Sequence, residues 1–278
     1  MFGDIMFCNQ NYKFGVIPKK DGYAIRLALK PGYITSEQLD AISYIAKNFG
    51  EDRIHITTRQ GIGLKIKFEY LEEAERLLND VGIKLGSTGK RIRQIVACIG
   101  TECPNSIGDS IKLAGMIHDE FEGIWVPKKL KINISGCPND CTHHQFCDIG
   151  ICFRYILKID KKECSECGKC RSFCEVDAID WKNKVIKENC IGLGECLKLC
   201  NAIKVEDKVI SIFIGGKGGR FPKRGKFLAN VKTENGVIKV IDGIIELYTK
   251  FGKGRVCDFV EHVGIESIKK SLKEKGLI

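Results

Sequence analysis

The stretch Leu130-Lys-Ile-Asn-Ile-Ser-Gly-Cys-Pro-Asn-Asp-Cys141 decides how this chain is read. Leu130 to Ile134 alternates like a half-buried strand, and the chain then runs directly into Cys137 and Cys141. The same arrangement occurs upstream. A strand over Ile92 to Ala97 runs into Cys98 and Cys103, and a helix follows with Ile107, Ile111, Ala114, Ile117 and Phe121 on one side. Each pair therefore sits just past the end of a strand, where side chains and unpaired helix N-terminal N–H groups can face a ligand. Two such pairs can hold one iron–sulfur cubane between them. Zinc is the alternative that the spacing leaves open.

The chain has 15 cysteines, and thirteen of them lie between Cys98 and Cys200, with only Cys8 and Cys257 outside. Met1 to Gln10 carries Asp4 and no basic segment before an apolar run, so no signal peptide is read and a cytoplasmic location is expected. Clustered thiols in a reducing compartment point to metal rather than to disulfides. Cys164, Cys167, Cys170 and Cys174 form a C-x2-C-x2-C-x3-C run of the bacterial ferredoxin kind, in which three cysteines wrap one cubane and a distant cysteine completes it. By that rule Cys164, Cys167 and Cys170 pair with Cys200. The companion loop is Cys190, Cys196 and Cys200, with Leu193 where its second cysteine is expected. Only Cys174, Cys190 and Cys196 then remain for a second cluster. Three ligands suit a three-iron cluster, [3Fe-4S], or a four-iron cluster completed by another group. Zinc, or a degenerate loop holding nothing, is the bland alternative.

The flanking segments give an α+β organisation. Ala24 to Leu29 reads as a strand ended by Pro31-Gly32. Thr35 and Gln38 form a capping box for a helix through Leu39, Ile42, Ile45, Ala46 and Phe49, closed at Gly50. Arg53 to Thr58 and Leu64 to Phe68 are strands, and Leu71 to Leu78 is a second helix. Val209 to Ile214 is a strand before the Gly-rich run Gly215 to Gly219, and the end from about Val237 reads as three short helices. Strands on both sides of residues 156–206 mark the ferredoxin segment as an insert. The expected domains are residues 1–85, a core of 86–155 with 207–278, and the insert 156–206. No stretch reaches membrane-spanning length. The net charge of +10 suits an anionic substrate, an anionic cofactor or an acidic electron donor, or simply a solvated basic surface. The basic residues are dispersed and no nucleic-acid motif accompanies them.

Several segments carry a resemblance. Ser135-Gly-Cys-Pro-Asn-Asp-Cys141 resembles the second half of the siroheme and iron–sulfur signature of sulfite and nitrite reductases, and Cys98 to Cys103 resembles its first half, with a spacing of four residues where that family more often has five. His55-Ile-Thr-Thr-Arg-Gln60 resembles the family's R-x-T-x-R-Q strand, with His55 in the place of an arginine. Arg93, Pro127-Lys-Lys-Leu-Lys131, Asp148-Ile-Gly-Ile151, Gly215-Gly-Lys-Gly-Gly219 and the C-terminal Glu246 to Gly264 follow in the family's order. The chain most resembles small anaerobic or dissimilatory-type sulfite reductases with an inserted ferredoxin domain.

The resemblance implies a fold: an N-terminal ferredoxin-like βαββα half domain, an α/β siroheme and iron–sulfur core, and the insert. It implies a [4Fe-4S] cluster on Cys98, Cys103, Cys137 and Cys141, with Cys141 bridging to siroheme. His55, Arg93, Lys129 and Lys131 would hold the oxygens of sulfite and supply protons. Arg59, Gln60, Asn139, Gly215, Gly216 and Lys217 would hold the siroheme. His143 and His144, adjacent and pointing apart if helical, are left out of the ligand set, and Cys147, Cys152, Cys8 and Cys257 read as buried, inert thiols.

The implied function is reduction of sulfite to sulfide with six electrons. Nitrite reduction to ammonia is the alternative within the family, and a non-catalytic cluster carrier the alternative outside it. No G-x-G-x-x-G opens a strand–helix unit, so a reduced ferredoxin or a separate donor subunit supplies the electrons. Single-chain members of the family contain two such halves and this chain one. A homodimer or higher homo-oligomer with shared active sites is therefore expected, or a heteromeric partner that supplies the other half. Neither nucleic acid nor membrane is an expected partner.

Overall fold

The computed structural model describes residues 15–278, so Cys8 lies outside the described residues. The chain divides into two compact units, one running to Gly89 and the other from Lys90 to Ile278, with the short segment 30–32 grouped with the second.

The first unit is an antiparallel sheet of β1 (Val16–Lys19), β2 (Gly22–Ala28), β3 (Gly50–Ile56) and β4 (Ile62–Ile66), in the order β1-β2-β4-β3, with β5 (Lys84–Leu85) beside β2. Two helices, α1 (Ser36–Phe49) and α2 (Leu71–Asp80), bury one side of it. Ile42, Ile45, Ala46 and Phe49 of α1 and Ala74 and Leu78 of α2 form a core with Ile25, Leu27, Leu64 and Ile66 of the sheet. The expected capping box is present. Gln38 N–H donates to the Thr35 hydroxyl at 3.1 Å, and Thr35 N–H donates to the Gln38 side chain at 3.1 Å. Gly50 does end α1, but with extended rather than left-handed backbone (φ −128°), so that β3 starts at the cap itself. Every residue of β3 after Gly50 is exposed. One face of this sheet is therefore core and the other is open.

The second unit is built on a mixed sheet of β6 (Val96–Ala97), β7 (Ile132–Ser135), β8 (Ile149–Ile159), β11 (Ile203–Ile214) and β12 (Lys226–Val231), in the order β12-β11-β8-β7-β6. β6, β7 and β8 are parallel, while β8, β11 and β12 are antiparallel. Helix α3 (Ser110–Phe121) and the C-terminal α4 (Glu234–Phe251), α5 (Val256–Val263) and α6 (Ile265–Glu274) complete its core, with Tyr248, Ile244, Leu113 and Ile117 fully buried. Ile107 precedes α3 rather than lying on it. The expected Ile92–Ala97 strand is reduced to β6 and a single bridge from Ile92 to Leu130. Of the three short helices expected at the C-terminus, the first is long: α4 runs 18 residues from a Thr233 cap whose hydroxyl accepts from Gly236 N–H at 3.1 Å. No helix among the described residues is long and apolar enough to cross a membrane.

The cysteine-rich segment is the tip of the β8–β11 hairpin. The strands pair from Ile149↔Ile214 to Ile159↔Ile203, and Asp160 N–H donates to the Ala202 carbonyl at 2.7 Å. Beyond that point a two-stranded ribbon of β9 (Ile179–Asp180) and β10 (Val185–Ile186) and two short 3-10 turns close a small core of Leu157, Ile159, Cys170, Ile179 and Ile203.

Candidate functional site

Two parallel strands end side by side, and this brings the first set of thiols together. β6 pairs with β7 at Ala97↔Ile134. Cys98 follows one strand and Gly136-Cys137 the other, and Gly136 N–H donates to the Cys98 sulfur at 3.0 Å. The Ser110 hydroxyl, at the start of α3, lies 3.2 Å from the same sulfur. The Cys137 thiol is pushed up by burial and, further, by the neighbouring Cys98, Cys103 and Cys141 thiols. Cys141 is exposed, and Cys137 is buried. Between them Asp140 adopts left-handed backbone (φ 53°). Its carboxylate accepts from His144 N–H at 2.6 Å, from the Ser135 hydroxyl at 3.2 Å and from His144 Nδ1. Burial opposes the Asp140 charge, but these hydrogen bonds outweigh it and hold the carboxyl below its ordinary value. His144 is thus a buried support of the loop. The two histidines do not share an α-helix: His143 is exposed at φ 53°, and a 3-10 turn starts at His144.

The insert groups its thiols in two sets. The Cys170 thiol is pushed up by burial and then by Cys200, Cys164 and Cys167. That of Cys196 is pushed up to about 11 by burial and then by Cys190 and Cys174. The exposed Cys167 is lowered instead, by the Lys169 backbone N–H and the Ser165 side chain. Three sets of soft donors thus result, each gathered from residues far apart in sequence. No three His, Cys, Asp or Glu side chains among the described residues close on a single ion. Soft thiolates spread in this way suit multi-iron clusters.

The basic residues fall in two places. On the open sheet face of the first unit, His55 of β3 is opposite Gly63 of β4, which in turn is opposite Arg26 of β2. With no side chain at the middle position, Arg26, Arg53, His55 and Lys65, together with Glu51, which pairs with Arg53 and Lys65, line a shallow basin of about 370 Å³. Arg26 escaped the sequence reading, because only the strand register aligns it with His55. Arg59 and Gln60 occupy the β3–β4 turn, where the Thr57 hydroxyl accepts from Arg59 N–H at 3.3 Å and Gly61 N–H at 3.1 Å. Gln60 is left-handed there (φ 54°).

In the second unit Lys129 and Lys131 precede β7 rather than lying on it; Lys129 is exposed and Lys131 half-buried. Lys131 is fixed through its backbone. Its N–H donates to the Asp148 carboxylate at 3.0 Å, and its carbonyl accepts from Ile149 N–H at 3.1 Å. Asp148 is fully buried and meets the Arg255 guanidinium at 2.6–3.1 Å through three hydrogen bonds. Burial pushes its carboxyl up, and Arg255 pulls against that. The Asp148 carbonyl accepts from Gly215 N–H at 2.9 Å. One residue therefore ties together Lys131, the Gly215 run and α5. Beside it, Gly216 is packed so closely that a Cβ would stand 2.4 Å from the Cys147 carbonyl oxygen, so no other residue fits there. Lys217 exchanges two backbone hydrogen bonds with Lys223 at 2.7 and 2.8 Å. Arg93 is half-buried, its N–H donating to the Leu130 carbonyl at 2.8 Å, and Asn139 is exposed in the Cys137–Cys141 loop. Cys147, Cys152 and Cys257 are buried. The sequence pointed to Asp148 and Arg255 only as parts of longer motifs, because their pairing spans 107 positions.

Comparison with known proteins places these features. The model of the nitrite and sulphite reductase 4Fe-4S domain matches residues 88–276, and that of the nitrite/sulfite reductase ferredoxin-like half domain matches residues 17–81. An uncharacterized protein of Methanocaldococcus jannaschii is 61% identical over 269 residues, covering 97% of this chain and 98% of that protein. The coenzyme F420-dependent sulfite reductase of the same organism is 32% identical over 278 residues, covering 94% of this chain but only 44% of the longer protein. Among solved structures, dissimilatory sulfite reductase I superposes with a TM-score of 0.72 at 20% identity, over 90% of this chain and 69% of that one.

Proposed function

The chain belongs to the nitrite and sulfite reductase family, whose members are siroheme and iron–sulfur oxidoreductases, and from that premise we propose that it reduces sulfite to sulfide, with six electrons arriving through the clusters of the insert. One observation carries this reading. The Cys98, Cys103, Cys137 and Cys141 set follows the C-terminal ends of β6 and β7, and the basic residues Arg93, Lys129 and Lys131 belong to the same unit, before the start of β7. An anionic substrate calls for such fixed positive charge, and a pure electron carrier does not. The likeness to a protein named a sulfite reductase over 94% of the chain favours sulfite over nitrite.

In this reading Cys98, Cys103, Cys137 and Cys141 would hold a [4Fe-4S] cluster, with the exposed Cys141 on the side that meets siroheme. Gly215, Gly216, Lys217, Asn139, Arg59 and Gln60 hold the macrocycle. Siroheme with its coupled cluster would supply the iron that binds sulfur and the electrons that reduce it. The protein side chains do the rest. Sulfite is a compact dianion, and fixed positive charge in a desolvated site binds it strongly. Arg93, Lys129, Lys131 and His55 take that role, joined by Arg26, which the register aligns with His55. Each S–O bond breaks only when its oxygen leaves as water, so lysine and histidine N–H groups deliver protons there. Asp148 fixes the Lys131 backbone, which limits the positions its ammonium can take.

One chain carries one such half, and we read the working form as a homodimer in which His55, Arg93, Lys129 and Lys131 of one subunit meet the siroheme held by the next. A reduced ferredoxin or a separate donor subunit feeds the insert. The deciding experiment is an absorption spectrum of the anaerobically purified protein, followed by steady-state rates with sulfite and nitrite and a reduced dye. Siroheme bands with faster sulfite turnover are expected. Faster nitrite turnover would reassign the substrate, and an absence of siroheme after expression with a siroheme supply would leave an electron carrier. Light scattering that gives a fully active monomer would remove the shared site.

A further inference from the structure

We infer that Cys174, Cys190 and Cys196 hold a three-iron cluster as its permanent form, with Leu193 covering the corner where a fourth iron would bind. The inference concerns one cofactor of the reductase proposed above, and it stands or falls separately from the substrate.

The first argument is the backbone. Cys167 is followed by Gly168 at φ 72°, which caps the 3-10 turn Lys169–Phe173. Leu193 is followed by Gly194 at φ 88°, which caps the 3-10 turn Glu195–Lys198. Only glycine adopts this conformation without strain. The second loop therefore keeps the cluster-wrapping path of the first and places Leu193 where the first places Cys167.

The second argument is the donor set. Cys174, Cys190 and Cys196 line one recess and pack against the same small core. Ala178 N–H donates to the Cys174 sulfur at 3.2 Å. Such N–H···S bonds compensate the negative charge that a thiolate carries into a cluster. The three thiols border a small recess of about 70 Å³ that is partly open to solvent.

The third argument is what the recess lacks. Around the thiols its wall is Leu157, Phe173, Val176, Ile179, Ile186 and Leu193. Glu175 and Glu195 are the acidic residues on its border, both exposed. A hard carboxylate with water around it competes poorly for an iron that a thiolate normally holds. An apolar side chain over the open corner instead excludes the water or hydroxide that could complete a fourth iron. The three thiols then satisfy three irons and no more.

The test uses the full chain, purified anaerobically with its cofactors and oxidised mildly. An oxidised three-iron cluster gives a near-isotropic EPR signal, whereas an oxidised four-iron ferredoxin cluster is diamagnetic. The wild type should give this signal in proportion to the chain, and the signal should survive incubation with excess ferrous iron and dithionite followed by reoxidation. Leu193→Cys should lose the signal and gain one iron per chain, with the siroheme absorption unchanged. Cys196→Ser should lose the signal without that gain and keep the siroheme bands, which guards against a Leu193 variant that fails to fold. A wild type with no signal overturns the inference, whether its iron content indicates an empty loop or a complete four-iron cluster. A signal that disappears on adding ferrous iron overturns it as well, because it then came from a damaged four-iron cluster. None of these readings depends on whether sulfite or nitrite is reduced.

Discussion

The two cysteine loops of the insert share a glycine turn followed by a 3-10 turn, and in their thiols they differ at one position. Both make a left-handed turn at glycine, Gly168 in one and Gly194 in the other, and both tuck one thiol inward, Cys170 and Cys196. At the turn the first offers the exposed Cys167 and the second the half-buried Leu193. The difference teaches that the path of a metal loop and its ligand count are separate properties. Backbone conformation is set by glycine and by short hydrogen-bonded turns, while ligand count is set by a side chain on which those turns do not depend.

The largest effect should come from making the first loop copy the second. Cys167→Leu removes a ligand from the complete loop, and donor-driven sulfite reduction should fall by more than the roughly 10–100-fold that loss of an outer partner costs. A small reduced dye that can reach the buried centre directly should be affected less. The reverse change, Leu193→Cys, should leave turnover within about a factor of 2, since each 1.4 kcal/mol is roughly tenfold and no existing bond is lost. Equal losses in both variants would break the comparison.

Next in size is the third loop, Cys137 to Cys141, whose left-handed residue is Asp140 rather than glycine. Here the conformation is held by side-chain bonds to Ser135 and His144. Asp140→Ala should lower cluster retention or activity by roughly 10–100-fold, read as iron and sulfide content alongside the siroheme bands. Asp140→Gly should restore part of it, because glycine tolerates the turn on its own. If Asp140→Ala binds iron normally, conformation in that loop does not depend on the carboxylate.

Asp148→Ala should leave the iron of both insert loops unchanged but destabilise the second unit. It leaves the half-buried Arg255 without its buried partner, which costs about 3 kcal/mol, the low end for breaking a buried pair because Arg255 still reaches water. At roughly 2–4 °C per kcal/mol for a unit of this size, the melting temperature should drop by on the order of 10 °C.

The smallest effect should be at Asp177, which ties the two loops together through Lys187 at 3.0 Å and Arg171 at 3.3 Å. Lys187 first, and Arg171 after it, hold the Asp177 carboxyl below its ordinary value. A depressed carboxyl contributes stability that is fully present above the ordinary carboxylate range and is lost as the pH falls through the depressed value. Asp177→Asn should therefore flatten the acid limb of a melting-temperature profile. The difference should vanish in high salt, because all three side chains are exposed.

Much of this arrangement was legible in the sequence wherever local chemistry decides. Thr35 and Gln38 announced α1, and Cys98 and Cys137 announced the ends of two strands. The rest depended on distant partners. β8 was not read as an 11-residue strand because Arg154, Tyr155 and Lys158 interrupt its apolar pattern, yet pairing with β11 on one side and β7 on the other holds it extended. The end from about Val237 read as three short helices, but tertiary packing of Val240, Ile241, Ile244 and Tyr248 carries the first of them over 18 residues. The site followed the same rule. Cysteine spacing is local and readable, whereas Arg26 beside His55, and Asp148 with Arg255, exist only through register and packing.

The hairpin that carries the insert has a consequence for how such a protein can be assembled and reassembled. Its two strands are directly paired at Ile159 and Ile203, so the chain leaves the sheet and returns to it at the same place. Whatever lies between those residues can be lengthened or exchanged at little loop-closure cost, since that entropy grows only slowly with length, provided the replacement still covers Leu157, Ile159 and Ile203. The redox module is in this sense portable. A turn joining Ile159 to Ile203 that keeps those side chains covered should leave a folded sheet without its wire, and another cluster-binding segment with closely spaced ends could be grafted in its place.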